Sequence, residues 1–185
     1  MTKKTVKQLI VEAVSHLSGA NISMVYNKVA YNLIPLKTSN QLFLAINEDD
    51  FIFDGFRISR FRDIQKVRIN INKFNEIIRG EGLFDGLSVP EINLTSWQAV
   101  FEGLKQTGKN IIVEYETAEG TNDIFTIGRI DRIYKSCLYM YHFYTDGTWE
   151  PEPYRIPYSE VTSVTFDSRY VNVFSKYLPD PPKLS

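Results

Sequence analysis

Thiol and metal chemistry is almost missing from this chain of 185 residues. It holds one cysteine, Cys137, and two histidines, His16 and His142. A single Cys excludes an intramolecular disulfide and a thiolate zinc cluster. There is no glycine-rich phosphate loop, no Cys-x-x-Cys pair and no His-Glu-x-x-His helix. A nucleophile needs an adjacent base and an activating environment, and no spacing in the sequence proposes one. Glu48, Asp49 and Asp50 form an acidic run. It lacks the ligand ladder of a calcium loop, so it reads as a solvated hairpin tip. The expectation is a protein that is not an enzyme, with no metal and no cofactor.

Long apolar runs are also missing. No stretch approaches the ~20 residues of a membrane helix. The start is basic, but Glu12, Ser15 and His16 break the apolar run that follows. That pattern is an amphipathic helix and not a signal-peptide core. The expected address is the cytosol, with no membrane partner. The net charge of −1 hides an imbalance. Residues 1–79 carry 12 Lys/Arg against 7 Asp/Glu, and residues 80–185 carry 9 against 15.

Aromatic residues are abundant: 12 Phe, 11 Tyr and 2 Trp. Phe and Tyr suit half-buried pleated surfaces, which points to β structure. An internal echo organises them. Residues 16–27, "HLSGANISMVYN", align with 105–116, "KQTGKNIIVEYE", at an offset of 89. "QLFLAI" (41–46) aligns with "CLYMYH" (137–142) at 96, and Phe56-Arg57-Ile58 with Tyr154-Arg155-Ile156 at 98. The offset grows where the second copy has longer hairpins, at 117–124 and 145–153. Surface hairpins are where a conserved core tolerates insertion.

Each copy opens with a helix. Val6, Leu9, Ile10, Ala13, Val14 and Leu17 make one apolar stripe, and Trp97, Val100, Phe101 and Leu104 repeat it. Thr95 with Gln98 has capping-box spacing. Gly19 and Gly108 stand where each helix should stop. Alternating strands follow, and Pro157 predicts an edge strand or a bulge. A closing helix follows each set, the second with Asp167 as its expected N-cap. The expected division is a first repeat over 1–79, a linker over 80–94, a second repeat over 95–178 and a flexible tail over 179–185.

A helix, about five short bent strands and a tight turn before the last strand resemble the small barrel of the Sm-like or SH3-like class. "DGFRI…DIQKV" (54–67) is also similar to an ending found in a group of uncharacterised bacterial proteins. The resemblance implies a mainly β fold with flanking helices, built as two tandem Sm-like small barrels. It also implies single-stranded RNA binding on rings. Gly128, Ile130, Ile133 and Cys137 fit the Sm hydrophobic pattern. The base-binding polar positions fall on Tyr134 and Leu138, and in the first copy near Thr38 and Leu42. A Leu cannot hydrogen-bond a base edge, so that pocket does not carry over.

Two partner classes remain. A protein partner, or self-association, would use the aromatic hairpin region of Tyr144, Trp149 and Tyr154, together with open strand edges. Trp149 has a second reading, in which it folds back to cover an open barrel end. An RNA partner would use a basic face of Arg57, Arg60, Arg62, Lys66 and Arg68. Strand alternation puts Lys66 and Arg68 opposite Val67 and Ile69.

Overall fold

The computed structural model describes residues 5–26, 30–70, 73–117 and 124–183. Residues 1–4 of the basic start and most of the 117–124 hairpin lie outside them. The first half runs α1 (Val6–His16), β1 (Ala20–Met24), β2 (Ala30–Thr38), β3 (Leu42–Asp49) and β4 (Ile52–Arg60). A 3-10 turn (Phe61–Asp63), β5 (Ile64–Ile69) and α2 (Lys73–Gly80) complete it. The second half runs α3 (Trp97–Thr107), β6 (Ile111–Tyr115), β7 (Ile124–Ile133), β8 (Cys137–His142), β9 (Tyr154–Pro157), β10 (Ser163–Phe166) and α4 (Arg169–Ser175).

The fold is mainly β with helices. Its strands make one open antiparallel sheet in the order β5-β1-β2-β3-β4-β10-β6-β7-β8-β9, and not two closed barrels. The reason is the central pairing. β10 joins β4 with Val164 opposite Ile58 and Phe166 opposite Phe56, and its other side joins β6. The fourth strand of the first half is thereby paired with the last strand of the second half. β5 and β9 are left as the two outer edges, and β9 is the strand that holds Pro157. The order β5-β1-β2-β3-β4 recurs as β10-β6-β7-β8-β9.

The helix ends differ from the sequence expectation in three places. α1 has the reciprocal capping box, between Thr5 and Gln8. α3 is capped by Ser96, whose hydroxyl accepts from the Ala99 N–H, so the Thr95–Gln98 pair is not the cap. α1 stops at Leu17 in the left-handed region, φ 45. Gly19 instead donates its N–H to Asn75 Oδ1. Gly108 does close α3, at φ 63. α4 is capped by Ser168, one residue beyond Asp167.

Helices cover the sheet on both faces. Ile10 of α1 packs with Ile22, Met24, Leu33 and Phe43. α3 buries Trp97, Val100, Phe101 and Leu104 in a core that also holds Leu42, Leu44 and Ile58 of the first half. Ile78 of α2 lies with Ile34 and Ile46, and Val171 of α4 with Ile112, Ile127 and Phe143. The segment between the halves is packed, not loose. Ile92 and Leu94 enter the α3 core, and Lys37 Nζ donates to the Ile92 carbonyl at 3.1 Å.

Candidate functional site

The strand junction determines what becomes of the first basic residue. Arg57 lies on β4 directly opposite Thr165 and is only 5% exposed. Its guanidinium is 3.0 Å from Glu114 and 3.7 Å from Glu116. It also lies over the Tyr31 ring at 4.4 Å. Ser163 Oγ donates to the same Glu114 carboxylate at 2.6 Å. Burial pushes the nearby Tyr26 hydroxyl far above its ordinary value, with Glu116 adding to the effect. Arg57 is therefore a buried tie between β4 and β6 and presents no charge to an outside ligand.

The other four basic residues separate into two places. Lys66 and Arg68 are exposed on the edge strand β5, while Val67 and Ile69 pack inward. Arg60 and Arg62 line a cavity of about 530 Å³ with Asn40, Gln41, Phe61 and Tyr158. Arg60 is held by Asp63 and by the Ser159 carbonyl. Arg62 is 68% exposed and lies 3.8 Å from Asp63. Lys7 Nζ sits 5.5 Å from the Phe61 ring centre and donates to the Asn40 carbonyl. The five residues do not make one face. Two of them do join aromatic and amide side chains in one hollow, with Ser159 of the second half closing it.

The aromatic hairpin also divides. Trp149 folds back. Its ring meets Phe143 edge-on at 5.4 Å, and its Nε1 donates to the Pro179 carbonyl at 3.0 Å. The ring covers Phe143 and bonds the first residue of the expected flexible tail, and because the sheet is open there is no barrel end for it to close. Tyr144 and Tyr154 stay 44% and 43% exposed, and both hydroxyls donate to Glu150 Oε1. Those two donors, Tyr144 first, hold the Glu150 carboxyl below its ordinary value.

Tyr144 and Tyr154 line a groove of about 410 Å³ with Val113, Tyr115, His142 and Glu160. Its floor continues the α3 core, since Val113 and Ile156 belong to both. His142 is set edge-to-face against Tyr144 at 5.0 Å. Its Nδ1 accepts from the Ile127 N–H at 3.2 Å, which leaves the proton of the neutral ring on Nε2. Burial pushes this imidazole below its ordinary value. No acid stands beside His142 in the sequence, and Glu150 comes near it only through the hairpin, where its N–H donates to the His142 carbonyl at 2.8 Å. Cys137 is buried, and among the described residues no group of three His, Cys, Asp or Glu is placed to hold a metal. No helix among the described residues is long and apolar enough to cross a membrane.

Comparison with known proteins returns nothing for this chain: no family model, no curated protein and no solved structure matches it.

Proposed function

We propose that the chain is a non-catalytic binding and assembly module. Each half is a helix-plus-five-strand unit of the Sm-like kind, and its sheet edges are the working parts. The observation that carries this is the β4–β10 ladder, in which an edge strand of one half completes the sheet of the other. The repeated strand order leaves β9 in the position of β4 and β5 in the position of β10. An edge strand is a ready template for pairing.

The outer edges do not suit each other. The sequence offsets that match Phe56-Arg57-Ile58 to Tyr154-Arg155-Ile156 and Val164 to Val67 would put Arg155 opposite Arg68. Inside the chain the same place pairs Arg57 with Thr165. Like charges directly opposite are destabilising, and Glu114 has no acidic counterpart in the first half: Glu114 faces Ser163 on β10, and at the matching place on β5 Lys66 faces Ser23. The partner strand at β9 is therefore one from a different protein, with a hydroxyl or acid facing Arg155. Arg68→Thr recreates the internal pairing. It is expected to strengthen self-association by about fivefold, from roughly 1 kcal/mol of relieved repulsion. Light scattering over a concentration series measures this. A variant that stays monomeric throughout shows that β9 accepts no strand, and the reading fails.

A second reading rests on the hollow that joins Arg60, Phe61, Arg62, Asn40 and Gln41. Cations beside an aromatic ring and amide groups suit a single-stranded RNA segment. Under this reading a short RNA binds at low salt, and affinity falls with salt with a slope of roughly 0.7 per phosphate contacted. Arg62→Ala then lowers the slope by about that amount. Unchanged RNA affinity on changing Arg62 and Phe61 together sinks it.

A further inference from the structure

The groove of the second half has features that strand pairing does not need. Val113 and Tyr115 sit opposite Thr126 and Ile124, and Ile156 and Tyr154 opposite Leu138 and Met140. Cross-strand partners share a face, so these residues lie on one surface of the sheet. The His142 and Tyr144 rings stand at 89° to each other, and Tyr154 lies 6.1 Å from His142 at 36°. Three ring systems thus meet at different inclinations around one hollow.

Two acids and one base stand around it. Glu160 lines the hollow, and Glu150, bonded to two of its lining side chains, is held against both tyrosine hydroxyls. Arg155 is the cationic residue among the described lining. Its place in β9 alternates with those of Tyr154 and Ile156. The ring nitrogen of His142 nearest the sheet is occupied by the Ile127 N–H.

We propose that this groove binds an alkylated ammonium group, with the Tyr115, His142, Tyr144 and Tyr154 rings around the cation and Glu150 and Glu160 supplying the opposing charge. Aromatic faces attract a cation through the ring quadrupole. A bare ammonium is strongly hydrated and would lose that water against apolar walls. An alkylated one presents methyl groups to the rings and keeps its charge. The site does not depend on strand addition at β9.

The test compares choline with its carbon isostere, in which a tert-butyl group replaces the trimethylammonium. Both are titrated calorimetrically into the full chain. Choline is expected to bind about tenfold more tightly. Glu150→Gln should weaken choline and leave the isostere unchanged, and Tyr154→Ala should weaken both. Far-ultraviolet circular dichroism confirms that each variant is folded. Equal affinity for the two probes, or no saturable choline binding, overturns the proposal. So does a Glu150→Gln variant that binds choline as the natural chain does.

Discussion

Gly128→Ala is expected to lower stability by roughly 3–4 kcal/mol, a large share of the 5–15 kcal/mol that holds a typical domain together. Gly128 sits in β7 opposite His142 of β8, at φ 152. A Cβ there would lie 1.9 Å from the Tyr141 carbonyl oxygen and 3.3 Å from the His142 Cα. Both obstacles are backbone atoms of the neighbouring strand, so no side chain can rotate away. The ladder must open, and it opens beside the His142 groove. Gly147→Ala is the control. Gly147 also has a positive φ, 84, but nothing lies within 4 Å of the added carbon. It carries the backbone strain alone, about 1 kcal/mol. Urea denaturation of the three proteins gives the comparison. Equal losses in the two variants would show that the clash with Tyr141 does not exist.

Removing the Arg57 charge has the second large effect. Arg57→Met keeps much of the side-chain volume but takes the guanidinium away from Glu114 and Glu116. Breaking a buried pair by deleting one partner costs about 3–5 kcal/mol. Here the lower end applies, because the two carboxylates keep 21% and 16% of their side-chain exposure. Glu114→Gln in the same chain should recover part of the loss, because the two sites share one interaction. Chemical denaturation of the natural chain, Arg57→Met and the double variant measures both quantities. A double variant no more stable than Arg57→Met would mean that charge is not the cause.

The sequence displayed its helix stripes and its β content because spacing along one chain records them directly. The Val6–Leu17 and Trp97–Leu104 stripes became α1 and α3. Pro157 announced an edge, since a strand without that N–H fits poorly inside a sheet. The junction was not legible. Arg57 looked like one more cation in a basic run, and only the ladder with β10 and the neighbouring β6 shows that two acids about 57 residues away consume its charge. Trp149 was ambiguous for the same reason. Its partner, the Pro179 carbonyl, is a backbone atom 30 residues on, and no side-chain pattern marks it. The groove was half visible. Tyr144 and Tyr154 drew notice as exposed aromatics, but His142 and Glu150 join them only through the β8–β9 hairpin.

The position of β10 has a consequence for synthesis. β4 ends at Arg60, and the strand that covers it does not begin until Ser163. At a translation rate of about 5–20 residues per second, the growing polypeptide exposes that ladder, with Leu42, Leu44 and Ile58 beneath it, for roughly 5–20 s. A nascent chain stalled in this interval presents an unpaired strand and an apolar floor to chaperones and to its polysome neighbours.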